Sequence, residues 1–364
     1  MRRPDPRART ARPSAVVTGC AGFIGSTLCE ALVADGWRVR GADAFTDAYG
    51  RDEREANLET LRHEPRFDLV EVDLARGALG RLLADGSPVV HLAGRPGVRS
   101  SFGAGVPSTV RDNLVATHRL LAAARAARAR RVVWASSSSV YGDVSGAPAA
   151  EERPLGRPPS PYAAAKRACE GLAQLARDRG LETTGLRLFT VYGPRQRPDM
   201  ALRRMCEALS GGPGFPLNGD GSQARDLTHV DDVVDAIRRA LAAPAVAALY
   251  NVGGGRPTSL AETIAILEVI AGGRMPAWAA GPAAGDVART AADTSRARRD
   301  LGWRPRVNLV RGLAAQLAWV RARRGRALAG SEGEDEARRP ARIGRDDREG
   351  LRQSALEGAR ALAE

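Results

Sequence analysis

Between a β-branched run, AVVTG (15–19), and a helical stretch, FIGSTLCEALVADG (23–36), lies the segment Gly19-Cys20-Ala21-Gly22-Phe23-Ile24-Gly25. No other feature of the chain restricts its fold as strongly. A buried strand that turns at once into a helix needs Gly19 for the tight turn and Gly25 for close packing of helix on strand. Gly22 lets the backbone approach a pyrophosphate, and the helix N-terminus offers unpaired N–H groups to it. Asp43 ends the next strand, WRVRGAD (37–43), 18 residues after Gly25. An acid there accepts hydrogen bonds from the adenosine ribose hydroxyls and repels a 2′-phosphate, so the expected cofactor is NAD rather than NADP.

The same alternation continues. FDLVEVD (67–73), PVVHLAG (88–94) and RVVWASS (131–137) read as strands, with helices near 107–128 and 161–179 between or after them. Short apolar strands alternating with helices imply an α/β fold, a Rossmann-type doubly wound parallel sheet covered on both faces. After about residue 194 the texture changes to Gly/Pro loops (GGPGFPLNGDGS, 211–222) and short helices. This predicts a smaller C-terminal substrate-binding lobe built on the sheet's open edge. A helix over 229–241 and a strand over 248–254 then return to the main sheet. The expected division is an NAD-binding domain over 14–193, completed by about 228–252, and a lobe made of 194–227 and 253–325. Residues 1–13 and 326–364 are Arg-rich or mixed-charge tails with little apolar content, expected to be disordered or weakly helical.

Charge and composition narrow the function. The net charge is +13, of which residues 1–13 carry +4 and residues 321–364 carry +2. The rest is spread without a basic stripe or interleaved aromatics, which argues against a nucleic-acid partner. No apolar run of about 18 residues exists, so no membrane span is expected. The four cysteines have no CxxC spacing, and with no secretory-type leader they read as reduced thiols in a cytoplasmic protein. Four dispersed histidines predict no metal site.

Of the 55 basic residues, 54 are Arg and one is Lys166. A chain that uses Arg wherever a cation serves marks, with its one Lys, a place where a guanidinium would not. Lys166 follows Tyr162 by four residues in SPYAAAKRACEGLAQLA, so both lie on one helix face. A phenol beside an ammonium is suited to accept and return an alcohol proton, because the cation supports the oxyanion that forms. Ser136 to Ser139 end the strand RVVWASS, and ligands of open α/β sheets bind at the carboxyl ends of strands. One of these hydroxyls is expected to hydrogen-bond a reacting oxygen of the ligand.

Together these segments resemble the extended short-chain dehydrogenase/reductase family, specifically its nucleotide-sugar epimerases and dehydratases. The matching pieces are TGCAGFIG, Asp43, VEVDL, HLAG, DNLVATHRLLAAA, ASSSSVYG, PYAAAK, LRLFTVYGPRQRPDMA, GDGSQARDLTHVDD, YNVGGG and GDVARTAAD, in family order over about residues 14–320. The resemblance implies that Gly19, Gly22, Phe23, Ile24 and Gly25 hold the NAD pyrophosphate and Asp43 the adenosine ribose. Asp73 and Leu74 would flank adenine, Leu92, Ala93 and Asn113 would lie along the cofactor, and Lys166 would hold the nicotinamide ribose. Tyr162 would be the catalytic base and acid, with Ser137 its partner. Arg225 would bind the substrate diphosphate and Asp286 the uridine ribose. Hexose 4-epimerases often carry an Arg three positions before that acid; here it is Ala283, which leaves phosphate charge to Arg204.

The resemblance also bears on the reaction. Family 4,6-dehydratases place Asp-Glu before the Val-Tyr-Gly triplet, and uronate decarboxylases place Glu at the second of these positions; this chain has Ser138-Ser139. With no acid there, 4-epimerisation through a 4-keto sugar is the expected fate. ASSSSVYG and FTVYGPRQRPDMA look most like the UDP-glucuronate 4-epimerases, in which the matches of Ser138, Ser139, Thr190 and Arg197 surround the hexuronate carboxylate. Hydroxyls plus a guanidinium suit a carboxylate. Arg195-Gln196 departs from that subgroup's usual Trp-Gly. UDP-glucose/UDP-galactose 4-epimerisation or another reaction of the family is the alternative, and a non-catalytic dinucleotide sensor a third reading. The family further implies a homodimer through the helices near 107–128 and 161–179.

Overall fold

The computed structural model describes residues 13–46, 49–144, 146–281 and 285–329. The expected tails therefore lie almost wholly outside the described residues, as does Ala283. Seven parallel strands form the main sheet: β1 (Ser14–Thr18), β2 (Arg38–Asp43), β3 (Phe67–Glu71), β4 (Val89–His91), β5 (Val132–Ser137), β6 (Thr183–Leu188) and β10 (Leu249–Val252), in the order β10-β6-β5-β4-β1-β2-β3. The order reverses at β1, which pairs with β2 on one side and β4 on the other. That reversal opens a crevice at the strands' carboxyl ends, where Thr18 lies level with Ala42 and His91.

Helices α1 (Phe23–Ala34) and α7 (Val230–Ala242) cover one face, and α4 (Ala116–Ala126) and α5 (Pro161–Asp178) the other. On α1, Leu28, Cys29 and Leu32 are buried against Val17, Val133 and Ile237. Burying each such leucine contributes about 1.5–3 kcal/mol, which fixes the helix that follows the phosphate loop.

Three expectations change. Strand β6 was not anticipated, although it lies next to β5 in the sheet. The helix expected over 107–128 is three pieces: α3 (Val106–Thr109), a π-helical turn (Val110–Val115) and α4. Within the turn, the Asn113 amide donates to the carbonyls of Thr109 (2.9 Å) and Arg95 (3.0 Å), an alternative acceptor set that suits a widened turn. The lobe does not extend the sheet's edge, which β10 occupies. It departs from the carboxyl end of β6, one strand in, through β7 (Thr190–Tyr192).

In the lobe, β7, β9 (Ala224–His229) and β11 (Pro257–Ser259) form a three-stranded sheet, and β8 (Phe215–Asn218) pairs with β12 (Ala277–Ala280). Helices α6 (Ala201–Ala208), α8 (Leu260–Ala271) and α10 (Leu309–Ala329) share a core with Met205, Phe215, Leu267, Leu313 and Leu317. Helix α10 runs past the boundary expected at 325. Helix α9 (Ser295–Leu301) packs beside β10.

Candidate active site

The loop after β1 is built around its glycines. Gly19 has φ +73°, and a Cβ on it would lie 2.7 Å from the Ala93 nitrogen. A Cβ on Gly25 would lie 2.0 Å from the Gly19 carbonyl oxygen, so only glycine lets α1 sit this close. Gly22 caps α1 without a side-chain hydrogen bond, and the first N–H groups of the helix stay available to an anion. These are the features a dinucleotide pyrophosphate requires.

Asp43 is buried, and its carboxylate accepts from Ala21 N (3.1 Å), Phe45 N (2.9 Å) and Arg54 Nη1 (3.0 Å). Arg54, on α2 (Arg51–Asn57), was not singled out in the sequence; an arginine eleven residues downstream gives no local signal of this pairing. Asp73 turns the chain after β3 by accepting from Ala75 N at 2.8 Å, which sets Leu74 into the core. Leu92 and Ala93 follow β4, their N–H groups bonding Thr18 O (3.1 Å) and Thr18 Oγ1 (3.4 Å). The Asn113 Oδ1 is buried without a partner among the described residues and faces Gly94. Beneath this crevice, His91 is clamped between Thr18 Oγ1 (2.8 Å) and Thr117 Oγ1 (3.0 Å). Burial, helped by the Lys166 charge, pushes its imidazole down to about 3.

Helix α5 starts at Pro161 with Ser160 as N-cap, its hydroxyl accepting from Ala163 N at 3.1 Å. That places Tyr162 in the first turn, where its N–H donates to Ser101 Oγ at 3.2 Å. Lys166 lies one turn on, with Nζ 5.8 Å from the Tyr162 ring centre and donating to Ala135 O at 2.9 Å. Both side chains are buried. The Ser137 hydroxyl accepts from Ser139 N (3.1 Å) and donates to Ser139 Oγ (2.9 Å). Ser136 instead donates to Glu170 Oε1 at 2.7 Å, part of a buried pair of Glu170 with Arg187.

On the lobe side, Thr190 is in β7 and Arg225 in β9. Three expected ligands, Arg197, Arg225 and Asp286, are already engaged within the protein. The Arg197 fork donates from Nε and Nη2 to Asp199 at 2.9 Å each. Burial pushes the Asp199 carboxyl up, but the hydrogen bonds and charge of Arg197, with the charge of Arg204, outweigh it and hold it below the usual range. Asp286 accepts from Arg225 Nη2 at 2.8 Å and from Arg99 Nη2 at 2.9 Å. Arg99, from the loop after β4, was another residue the sequence did not single out. Arg195, at the departure from the subgroup, has φ +69° and pairs with Glu30 of α1. Gln196 is fully buried and bonds Gln316 of α10 at 2.7 Å. Arg195 thus ties the lobe to α1 of the main domain, and Gln196 ties its loop to α10 within the lobe.

All the catalytic, cofactor and substrate residues expected from the sequence, among them Gly19, Asp43, Asp73, Ser137, Tyr162, Lys166, Arg225 and Asp286, line one cavity of about 770 Å³. Residues 15–253 match the NAD dependent epimerase/dehydratase family. The chain belongs to this family. A UDP-glucose 4-epimerase of Mycolicibacterium smegmatis is 39% identical over 313 residues, covering 84% of this chain and 98% of that one. A UDP-glucuronate 4-epimerase of Thermodesulfobacterium geofontis is 34% identical over 309 residues, covering 84% and 95%. The crystal structure of UDP-glucuronic acid 4-epimerase from Bacillus cereus with UDP-glucuronic acid and NAD superposes with a TM-score of 0.82 at 35% identity, covering 85% of this chain and 99% of that one. As in other members of the epimerase/dehydratase family, the cofactor is NAD.

Proposed function

We propose that this protein is a UDP-hexuronate 4-epimerase that interconverts UDP-glucuronate and UDP-galacturonate. The observation that carries the reading is one cavity wall holding Ser138, Ser139, Thr190 and Arg197 with Tyr162 and Lys166, and no carboxylate at positions 138 and 139. Hydroxyls and a guanidinium complement a C6 carboxylate; positions 138 and 139 carry serines rather than the acids of the family's dehydratases, and the Asp199 carboxylate is engaged by Arg197.

Bound NAD would supply the hydride acceptor and donor for carbon 4 of the sugar, and 4-epimerisation requires the keto sugar to present its opposite face between the two transfers. The phosphate loop of Gly19, Gly22, Phe23, Ile24 and Gly25 would hold its pyrophosphate, Asp43 its adenosine ribose, Asp73 and Leu74 its adenine, and Leu92, Ala93, Asn113 and Lys166 its nicotinamide half. Tyr162 takes the proton from the 4-hydroxyl as a base and returns it as an acid, so one phenol serves both halves of the cycle. Ser137 hydrogen-bonds the same sugar oxygen. Lys166, anchored on Ala135 O, keeps its positive charge beside the Tyr162 ring and supports the oxyanion. Arg204, Arg225 and Asp286 bind the UDP moiety.

The Arg197 guanidinium has five N–H bonds, and Asp199 takes one from each of Nε and Nη2. The Nη1 edge remains for a carboxylate. The Asp199 pairing and the 39% identity to a UDP-glucose 4-epimerase favour UDP-glucose/UDP-galactose as the second reading.

We further assign NAD binding to residues 14–193 with about 228–252, and sugar binding to 194–227 and 253–325. A homodimer would use the outer side of α3, the π turn, α4 and α5, where Val106, Val110, Val115 and Leu175 are exposed. Cys20, Cys29, Cys169 and Cys206 are buried free thiols, which suits the reducing cytoplasm. The test is product identification after incubation with UDP-glucuronate and, separately, UDP-glucose. UDP-galacturonate, formed without net consumption of NAD, is expected; turnover of UDP-glucose with none of UDP-glucuronate would select the second reading.

A further inference from the structure

In the loop between β2 and α2, the Tyr49 ring lies against the Arg54 guanidinium, whose carbon is 4.6 Å from the ring centre. Its hydroxyl oxygen is buried and has no hydrogen-bond partner among the described residues. Burying a hydroxyl unpaired destabilises a fold, and Phe would stack on Arg54 equally well without it. The hydroxyl is therefore placed for something that binds. Its surroundings say what. A Cβ on Gly22 would lie 3.7 Å from the Tyr49 oxygen, so the hydroxyl stands beside the glycine that opens the backbone to a pyrophosphate. The N-terminus of α1 and the phosphate loop share that wall of the cavity with Tyr49.

We propose that Tyr49 is a ligand of the NAD pyrophosphate, its hydroxyl donating to a phosphate oxygen beside Gly22. Burial pushes the phenol up to about 12 against the pull of the Arg54 and Arg197 charges, so it is a donor throughout the neutral range. Through Arg54, the same loop also holds Asp43. Ribose and pyrophosphate recognition are thereby joined in one segment. The lobe braces that segment, because Glu53 accepts from Arg203 Nη1 of α6 (2.7 Å) and Arg323 Nη2 of α10 (2.5 Å). The proposal rests on NAD dependence and not on the identity of the sugar.

The test follows NAD release from the holoenzyme, wild type and Tyr49→Phe, with an excess of a coupled dehydrogenase trapping free NAD. A donor to a charged oxygen is lost, so release should be about tenfold faster or more. Melting temperatures of the two holoenzymes establish that both are folded. Competition separates the cofactor's parts: ADP-ribose should displace NAD less effectively from the variant than adenosine does, relative to wild type, because adenosine has no phosphate. Unchanged release, or an equal loss for ADP-ribose and adenosine, would overturn the proposal, the latter placing the effect in Arg54 and Asp43. No sugar nucleotide enters the assay, so its failure and a failure of the hexuronate reading are distinguishable.

Discussion

Replacing Arg197 by Met should reduce turnover of UDP-glucuronate far more than turnover of UDP-glucose. A hydrogen bond from a cation to a carboxylate contributes about 1.5–3 kcal/mol, which is roughly a ten- to hundredfold effect. UDP-glucose has a neutral hydroxymethyl group at that position and loses no charged partner. The structure adds a second contribution. Arg197 neutralises Asp199 through two 2.9 Å hydrogen bonds, and its removal leaves a carboxylate facing the carboxylate of the substrate. The Asp199 side chain is 59% exposed, so water screens this repulsion and it adds at most about 1 kcal/mol, or roughly fivefold. The double variant Arg197→Met/Asp199→Asn should regain that smaller factor and no more. The assay is kcat/KM for both sugars by anion-exchange separation of products. Loosened pairing should also let the 4-keto hexuronate, a β-keto acid, lose carbon dioxide, so some pentose should accompany the product of the single variant. Equal losses on both sugars, with no pentose, would refute the reasoning and place Arg197 on the diphosphate.

Three further outcomes are expected. Tyr162→Phe should lower turnover by roughly 10²–10⁴-fold while NAD stays bound, checked by single-turnover kinetics and the cofactor content of the purified protein; near-normal rates would remove the phenol from the mechanism. Lys166→Arg should be poorly tolerated although charge is kept, because a longer planar group must enter a buried position held by Ala135 O; a stability loss of roughly 1–3 kcal/mol in urea and a fall in turnover would show it. His91 has its folded-state value pushed below its unfolded one, so acidification protonates the unfolded chain first and stability falls from about pH 6.5 downward to about pH 3. Between pH 6.5 and 5 this amounts to about 2 kcal/mol, and His91→Gln should flatten that part of the urea-midpoint profile.

What could be read from the sequence was set by how far apart the determining residues lie. The turn from β1 into α1 depends on the φ of Gly19 and on the absence of a Cβ at Gly25, requirements of neighbouring residues, so the pattern carries them. The Pro161 and Ser160 start of α5, with Tyr162 and Lys166 one turn apart, is local in the same sense. Strand β6 was less legible. Its Gly185 is there because a Cβ would lie 2.7 Å from Trp134, and its buried Arg187 is tolerated because Glu170 pairs with it. Both reasons lie on other elements. The partners of the candidate ligands belong to this second kind. Asp43 meets Arg54, Asp286 meets Arg99 across 187 positions, and Arg195 crosses to Glu30. Even the near neighbours Arg197 and Asp199 pair only because of how their loop is folded. Backbone conformation is governed by clashes within a few residues, and the sequence alone determined the fold class, the cofactor loop and the Tyr–Lys pair. A charged side chain, at the surface or in the interior, takes whichever opposite charge the packed chain brings within about 3 Å, and only the tertiary structure decides that.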